Sequence, residues 1–291
     1  MMSLDEIKKL KDKINQRGDI IVLPGVFDAL SAKVAENTGF EAIFQTGYGS
    51  AASLLGMPDF GFLNAGENID NARRIIRAVD LPVIVDVDTG YGNPLTVWKI
   101  VNDLIAYGAA GIFLEDQVWP KRCGHMRGKE VIGVDEYIQK LRAAVTASKK
   151  RNFIIVARTD ARAPLGFDEA VQRGKMYRKE GADVVFVEAP QSEEELREIP
   201  KKIDAPLLAN MIENGVTPTF SASELQSMGY SMVVFPLSGL YGATHAMKKI
   251  FSELKRTGTT KGCKEVMVDF NEFNDLVELE EFMKMEKKYQ S

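Results

Sequence analysis

Residues 82–116 read PVIVDVDTGYGNPLTVWKIVNDLIAYGAAGIFLED and contain one complete repeat of the pattern that decides the fold. The apolar runs at 82–88 and 111–116 have the composition of strands buried on both faces of a parallel sheet. Asn93, followed directly by a proline, has the features of a helix N-cap, and Gly108 stands where that helix should end. The segment therefore predicts a strand, a helix and a second, parallel strand.

The same alternation extends in both directions from this segment. The predicted strands are 20–26, 42–47, 82–88, 111–116, 153–159, 183–188, 206–211 and 232–237. The predicted helices are 28–38, 65–79, 94–107, 134–150, 167–180, 192–203, 221–228 and 239–254. Eight strand–helix units predict an α/β fold of the (β/α)8 TIM-barrel type. The alternative is an open, doubly wound sheet, but such sheets usually have fewer units, and no G-x-G-x-x-G follows the first strand.

No linker or shift in composition divides the chain, so we expect residues 1–291 to form one barrel domain preceded by an N-terminal helix. The tail, about 257–291, is predicted to be helical and acidic, with a stripe of Phe, Leu, Val and Met. An apolar stripe outside a complete barrel must pack on its own barrel or on a neighbouring subunit.

Composition excludes several classes of protein. The 291 residues are 45% hydrophobic and 27% charged, and 37 Lys and Arg against 41 Asp and Glu give a net charge of −4. This is ordinary globular composition without the basic surface of a general nucleic-acid binder. Two cysteines are too few for a disulfide scaffold. The N-terminus has no apolar signal core, and no apolar run approaches the ~20 residues of a membrane span. We therefore expect a cytoplasmic protein that binds neither nucleic acid nor membrane.

Polar residues end most of the predicted strands. In a barrel of this type the active site lies at the carboxyl-terminal ends of the strands, and charged groups there are costly to bury unpaired. We therefore expect the strand-end residues to face one shared polar site. They are Asp86, Asp88, Glu115, Asp116, Arg158, Asp160, Glu188 and Asn210.

The acidic strand ends predict a metal site. Asp86 and Asp88 are two residues apart and point to the same side of a strand, and Glu115 adds an acid on the next strand. Carboxylate oxygens suit a hard divalent cation such as Mg²⁺, or Mn²⁺ in its place. The alternative is a single ligand beside a salt bridge at the rim.

The segment 119–131, WPKRCGHMRGKEV, predicts a mobile loop that carries a reactive thiol. Its glycines allow it to act as a lid, and neighbouring cations should lower the pKa of Cys123. The alternative is an inert buried thiol; zinc is a poor alternative, because one Cys and one His are present. The other polar members of the loop are Lys121, Arg122, His125 and Arg127.

Two further groups could bind an acidic ligand. Arg158 can bind a carboxylate through two hydrogen bonds, although it could instead form a structural ion pair with Glu188. After the second strand, small residues around Thr46, Gly47 and Tyr48 let backbone N–H groups approach a carboxylate.

Several of these motifs together resemble a known superfamily. The run KRCGH, with VDVDTGYG, FLEDQ, VARTD and VEAP, resembles the isocitrate lyase and phosphoenolpyruvate mutase superfamily, and the likeness extends from LPGVFDALSA to FPLSGLYGATHAM. The K-[KR]-C-G-H motif is typical of its carbon–carbon lyase branch, and the short chain is similar to 2-methylisocitrate and 2,3-dimethylmalate lyases. The resemblance implies a dimer of dimers, a homotetramer whose terminal helices swap between subunits.

The resemblance also assigns roles to residues. Asp88 would bind Mg²⁺ directly, with Asp59, Asp86 and Glu115 holding it through water. Arg158 would bind the carboxylate of a 2-hydroxy acid. Cys123 would donate a proton, and Tyr48 is the expected base. The remaining residues expected to bind substrate or stabilise its charge are Thr46, Gly47, Lys121, Arg122, Gly124, His125, Glu188 and Asn210.

The implied reaction is a retro-aldol cleavage of a 2-hydroxy di- or tricarboxylate to pyruvate and a carboxylic acid. The family pattern has an F-R-A where Leu240, Tyr241 and Gly242 stand, a tyrosine at Phe44 and a glycine at Tyr48. Loss of that arginine favours an alkyl-malate such as 2,3-dimethylmalate over a tricarboxylate. The alternatives are a phosphonate enzyme of the superfamily (carboxyphosphonoenolpyruvate mutase or phosphonopyruvate hydrolase) and a non-catalytic binder of small acids.

Overall fold

The computed structural model describes residues 4–16, 18–126, 128–149 and 151–290. Eight parallel strands close into a barrel in chain order, with β1 beside β8, which confirms the predicted architecture. Each strand lies within its predicted segment. The strands are β1 Ile21–Val26, β2 Ile43–Gln45, β3 Val83–Asp86, β4 Gly111–Glu115, β5 Ile154–Thr159, β6 Val184–Val187, β7 Leu207–Asn210 and β8 Met232–Phe235.

Helices surround the barrel. They are α1 Leu4–Gln16, α2 Ala29–Asn37, α3 Gly47–Leu55, α4 Ala65–Ala78, α5 Pro94–Tyr107, α6 Val134–Ser148, α7 Arg162–Leu165, α8 Phe167–Lys179, α9 Glu193–Lys202, α10 Ala222–Met228, α11 Ser238–Thr257, α12 Phe270–Leu276 and α13 Leu279–Gln290, with a 3₁₀ helix at Lys261–Val266. The predicted end of α6 at residue 150 lies outside the described residues.

Local sequence signals set many of these helix boundaries. Asn93 caps α5 by accepting hydrogen bonds from two backbone N–H groups of the first turn, and Gly108 ends that helix in the left-handed conformation with φ 95°. Helix α3 was not predicted, and the second strand ends sooner than expected. The Thr46 side chain accepts a hydrogen bond from the N–H of Gly49 and starts the helix there.

Apolar side chains fill the barrel interior. Its inward-facing side chains alternate with outward-facing ones along each strand, as the two-residue period of a strand requires. Helix α1 closes the amino-terminal end: Leu10 and Ile14 are buried and belong to the same apolar cluster as the barrel interior. Beside them, Lys11 Nζ donates to the carbonyl of Phe153 at 2.9 Å and lies 2.9 Å from Asp183 Oδ1.

The helices after the barrel expose apolar surface. Phe251 on α11 is 64% exposed, Phe270 on α12 80%, and Tyr289 on α13 79%. The tail touches its own barrel through an ion pair of 3.0 Å between Lys33 and Glu278. Within the part of the chain that the structure describes, no helix is long and apolar enough to cross a membrane.

Candidate active site

The strand period decides which polar residues reach the site. The last layer of the apolar interior includes Phe44, Phe113, Val156 and Phe186. Two residues further along six of the eight strands, the inward positions are polar, because a strand turns the same face inward at every second residue. These positions are Thr46, Asp86, Glu115, Arg158, Glu188 and Asn210. The aromatic layer, with Phe44 and Phe113 centroids 4.4 Å apart, thus separates the core from a charged upper layer.

Asp116 follows the same period, and its position corrects the expectation that it faces the shared site. It lies one residue out of phase with Glu115 and faces the outer helices. Its carboxylate accepts hydrogen bonds from Thr159 Oγ1 at 2.8 Å, from Tyr177 at 2.7 Å and from Arg173 at 3.0 Å. Asp116 is therefore a structural residue outside the shared site. The sequence signal for this is its position one residue after the inward-facing Glu115, which turns its side chain outward.

Lys121 lies at the centre of the acidic residues. Its Nζ is 2.6 Å from Asp59 Oδ2 and 2.7 Å from Asp88 Oδ1, and all three side chains are buried. Burial alone would lower the pKa of Lys121, but the two carboxylates raise it well above its usual value. Asp88 also accepts a hydrogen bond from Tyr91 at 2.8 Å and has a φ of +49°. This conformation is uncommon for a residue other than glycine.

Asp86 faces the same space. Its carboxylate accepts hydrogen bonds from the backbone N–H groups of Gly47 at 3.2 Å and Asp88 at 3.1 Å. Burial, together with the nearby Asp88 charge, raises the pKa of Asp86 to about 6. The backbone N–H of Gly47 was expected to bind a carboxylate of the ligand, but here it donates to the Asp86 carboxylate of the protein itself.

The acidic residues fit a divalent cation. Glu115 is buried, its Oε1 has no hydrogen-bond partner among the described residues, and burial raises its pKa well above the usual value. Burial also raises the pKa of Asp59. Burial is the largest cause of both shifts, and a hard cation bound here would stabilise the ionised form of these carboxyl groups. Among the described residues, no three Asp, Glu, Cys or His side chains are placed to hold a metal together, so such a cation would need water ligands as well.

Arg158 is already paired with carboxylates. It donates to Asp160 through Nε at 2.8 Å and through Nη2 at 3.0 Å, and its Nη1 lies 3.2 Å from Glu115. Glu188 is further away, at 3.8 Å. Of the two interpretations of Arg158, the structural ion pair is the one seen here, but its main partners are Asp160 and Glu115. An incoming carboxylate would compete with these groups for the guanidinium.

The loop after β4 lies folded over this site. An isolated antiparallel bridge between Gln117 and Val131 closes its base. The Gln117 side chain donates to the carbonyl of Arg122 at 2.8 Å and accepts from its N–H at 3.0 Å. A Cβ on Gly124 would collide with Glu188 Oε1 and Arg158 Nη2, so only glycine permits this close approach. Arg127 lies outside the described residues.

His125 and Asn210 both hold Glu188. His125 Nδ1 accepts a hydrogen bond from the N–H of Val216 at 2.9 Å, which leaves the proton on Nε2, 3.0 Å from Glu188 Oε1. Asn210 Nδ2 lies 3.3 Å from both oxygens of Glu188. His125 and Arg158 outweigh the effect of burial and lower the pKa of Glu188. Glu188 is therefore an ionised group that both orients the loop and faces the site.

The expected low pKa of Cys123 is wrong for this closed loop. Burial raises the pKa of the thiol to about 11, and the charges of Asp59 and Glu188 act in the same direction. The cations expected to stabilise the thiolate contribute less, because Lys121 is paired with acids and Arg122 is exposed, with its guanidinium 5.6 Å from the Phe60 ring. The thiol is thus held protonated, the state that a proton donor needs.

A small cavity lies between the loop and the strand ends, with a volume of about 40 Å³. Such a space holds no more than a few water molecules, so the loop must move for a substrate to enter. Burial and the charges nearby raise the pKa of Tyr48, which keeps the phenol protonated at neutral pH. The lining residues are Phe44, Thr46, Tyr48, Asp59, Asp86, Phe113, Lys121, Arg122, Cys123, Gly124, Arg158, Phe186, Asn210, Ile212, Val234, Pro236 and Leu237.

Two groups near the site were missed. Lys129, near the end of the loop, is buried, and its Nζ lies 2.8 Å from Asp160 Oδ1. Gln117, at the start of the loop, holds the backbone of Arg122 through two hydrogen bonds. Neither has a sequence signal of its own, because both act through contacts between distant segments. Ten of the predicted residues line the cavity: Thr46, Tyr48, Asp59, Asp86, Lys121, Arg122, Cys123, Gly124, Arg158 and Asn210. Gly47, Asp88, Glu115 and Glu188 do not line it but contact residues that do, and His125 contacts Glu188.

Comparison with known proteins identifies the family. The model of the phosphoenolpyruvate phosphomutase family matches residues 10–255. The 2,3-dimethylmalate lyase of Eubacterium barkeri is 44% identical over 93% of this chain and 93% of its own length. The chloroplastic carboxyvinyl-carboxyphosphonate phosphorylmutase of Arabidopsis thaliana is 46% identical over 95% of this chain and 82% of its own.

Other relatives extend the range of activities. The 2-methylisocitrate lyase of Aeropyrum pernix is 41% identical over 94% of this chain and 88% of its own length. Among solved structures, oxaloacetate acetylhydrolase in complex with 3,3-difluorooxalacetate superposes with a TM-score of 0.93, covering 100% of this chain and 99% of that one at 34% identity. The predicted resemblance is confirmed: the chain belongs to the phosphoenolpyruvate mutase family of the isocitrate lyase superfamily, and it is an enzyme of the lyase type.

Proposed function

We propose that this enzyme is a Mg²⁺-dependent carbon–carbon lyase, with Mn²⁺ as a substitute for Mg²⁺. Its substrate would be a 2-hydroxy di- or tricarboxylate of the 2,3-dimethylmalate or 2-methylisocitrate type, and its products pyruvate and a carboxylic acid. One observation supports this above the others: the loop with Cys123, Gly124 and His125 covers the acidic cluster and holds a protonated thiol at the cavity.

The acidic cluster would hold the metal. Asp88 would be its direct ligand, while Asp59, Asp86 and Glu115 would hold its water ligands. When bound, Mg²⁺ would polarise the 2-hydroxyl and carboxylate oxygens of the substrate and lower the pKa of that hydroxyl. Lys121 now supplies positive charge to Asp59 and Asp88 and would be released by the cation toward the substrate.

The residues of the chain would carry the remaining steps. Tyr48 is the proposed base for the 2-hydroxyl proton. Because its pKa is raised, its phenol would first have to pass its own proton to solvent while the loop is open. Thr46 and Gly47 would complete the binding site for the substrate. Cleavage between C2 and C3 leaves pyruvate, while the bonding electron pair stays with the departing fragment as the enediolate of its carboxylate. The Cys123 thiol then gives its proton to the C3 carbon of that fragment.

Several residues would stabilise the charges of substrate and departing fragment. Arg158 would bind the C1 carboxylate in place of its present partners, while Glu188 and Asn210 orient the substrate. Lys121, Arg122 and His125 would stabilise the enediolate. The closed loop, packed through Gly124, would keep water from protonating the carbanionic carbon.

The apolar members of the cavity lining favour an alkyl-malate. Ile212, Val234 and Leu237 belong to this lining and have no charge with which to bind a third carboxylate. Tyr241, which stands where the family pattern has arginine, has its pKa raised by burial and by Tyr48, so this position carries a neutral hydroxyl and no positive charge. A methyl substituent at C3 suits this surface better than a carboxymethyl group does.

Phosphonate chemistry is the second candidate, because one relative at 46% identity is a carboxyvinyl-carboxyphosphonate phosphorylmutase. The decisive experiment offers the enzyme 2,3-dimethylmalate, 2-methylisocitrate, oxaloacetate and phosphonopyruvate, each with Mg²⁺ or with EDTA, and measures pyruvate, oxalate and phosphate. Metal-dependent release of pyruvate without phosphate from a 2-hydroxy acid supports the proposal. Turnover of phosphonopyruvate alone would support the second candidate, and full activity in EDTA would exclude the metal.

We also propose a cytoplasmic homotetramer in which the tail, about 257–291, swaps between subunits around a single barrel domain. The exposed aromatic residues of α11–α13 support this, because isolated apolar surface of this kind is typical of interfaces. Light scattering of the full chain is expected to give a tetramer, and truncation before Cys263 a smaller or aggregated species. A stable full-length monomer at micromolar concentration would contradict it.

A further inference from the structure

Lys129 is a buried lysine with two partners on different segments. Its side chain is 1% exposed, and Nζ lies 2.8 Å from Asp160 Oδ1 at the end of β5. The same ammonium donates to the carbonyl of Gly124, at the tip of the loop. A buried charge is tolerated only when it is paired and hydrogen-bonded, so this arrangement exists only while the loop is closed.

Asp160 is a fixed anchor for this contact. From below, its backbone N–H donates to Asp116 Oδ1 at 2.8 Å, and Asp116 is itself held by α8. From above, Oδ1 of Asp160 accepts both Lys129 and Arg158 Nη2. When a substrate carboxylate draws Arg158 away, this oxygen is left to Lys129 alone, which strengthens the contact that holds the loop.

We propose that Lys129 is a positioning residue that locks the loop in its closed state, and that Asp160 couples this lock to the occupancy of Arg158. Lys129 touches neither the cavity nor the expected metal ligands, so it would act only by holding Cys123 over the site. The inference rests on the proposed function for its catalytic meaning, but the lock itself can be measured without turnover.

The chain offers a matched control at the other end of the barrel. Lys11 also bonds one carbonyl, that of Phe153, and one aspartate, Asp183, each at 2.9 Å. Lys11 is distant from the loop, because it lies on α1, the helix that closes the amino-terminal end of the barrel. Replacing Lys11 by methionine removes the same kinds of contact, with no route to Cys123.

The experiment measures alkylation of Cys123 by iodoacetamide in the full-length protein, with Cys263 as internal reference because it is buried. Mass spectrometry separates the two thiols. In Lys129→Met we expect Cys123 to react at least roughly tenfold faster, because loss of a charge-assisted hydrogen bond favours the open loop. Lys11→Met is expected to react as the unmodified protein does, and Lys129→Arg to restore most of the protection.

Turnover provides the second readout. A weakened lock is expected to lower kcat for the active substrate while KM changes little, and Lys129→Arg is expected to recover part of kcat. If Lys129→Met fails to fold, Lys129→Gln replaces it, with faster alkylation still expected. Unchanged alkylation of Cys123, or equal acceleration at Cys123 and Cys263, would overturn the proposal. Because alkylation needs no substrate, failure of the proposed function leaves this result interpretable.

Discussion

The two ends of the barrel are closed in different ways. At the amino-terminal end, α1 places Leu10 and Ile14 into the apolar interior, and its Lys11 ion pair lies at the edge. At the carboxyl-terminal end, the loop closed at its base by the bridge between Gln117 and Val131 covers a buried cluster of acids and cations. The first closure is apolar and does not depend on a ligand, whereas the second depends on charges that a ligand can exchange. Stability and chemistry are thus assigned to opposite ends of the same strands.

The largest effect is expected from Asp88→Ala at the charged end. This change removes the proposed direct metal ligand, and we expect turnover to fall by roughly 10⁴-fold or more, since metal-assisted polarisation is lost with it. The measurement is kcat with saturating Mg²⁺. Asp70→Ala is the control, because Asp70 is an acid on the surface of α4 paired with Arg73 and Arg74. Turnover within threefold of the unmodified enzyme would show that Asp88 does not hold the metal.

A change at the apolar end should have the opposite signature. Ile14→Ala leaves a cavity under the barrel, and we expect the free energy of unfolding to fall by about 2–5 kcal/mol. The kcat of the folded variant is expected to remain unchanged. Urea unfolding and kcat below the transition check both parts, with the exposed neighbour changed in Asn15→Ala as control. A large loss of kcat in folded Ile14→Ala would show that the two ends are coupled.

A smaller effect is expected from the pH dependence of stability. The folded-state pKa of Asp86 is about 6, above its usual value of 3.8, so the folded protein binds this proton more tightly than the unfolded chain does. The contribution of Asp86 is therefore fully present below pH 3.8 and is lost as pH rises through about 6. In metal-free protein at pH 7, Asp86→Asn is expected to be more stable by roughly 2 kcal/mol.

Urea unfolding at pH 5 and pH 7 in EDTA checks this prediction. The difference in the free energy of unfolding between Asp86→Asn and the unmodified protein separates the effect of Asp86 from that of other titrating groups. The gain in Asp86→Asn should shrink at the lower pH. An equal difference at both values would mean that Asp86 carries no raised pKa.

Sequence reasoning located the strands and most of the helices because their signals are local. The cap at Asn93 and the apolar runs depend on adjacent residues, and the two-residue strand period places Glu115 and Arg158 on the inner face. That period also places Asp116 outside, although the expectation had grouped it with the site. Helix α3 was missed because its glycines and small residues lack a helical apolar pattern.

The features that were not predicted depend on tertiary contacts. The raised pKa of Cys123 follows from burial of the thiol between its loop and the strand ends, which the cations beside it in sequence do not reveal. Lys121 and Lys129 reach acids 62 and 31 residues away, and long flexible side chains carry no spacing signal for such partners. The sequence alone therefore does not predict which acids these lysines contact, and the structure is needed to identify the pairs.

The most direct test of the account is kcat for pyruvate release by Cys123→Ser, measured on 2,3-dimethylmalate with Mg²⁺. Serine preserves the shape of the side chain but is a much weaker acid than the thiol, so protonation of the departing fragment should become slow. General acid catalysis typically contributes about 10²–10⁴-fold, and we expect kcat to fall within that range while KM changes little. Wild-type turnover by Cys123→Ser on every 2-hydroxy acid that the enzyme cleaves would contradict the assignment of the loop as the catalytic element.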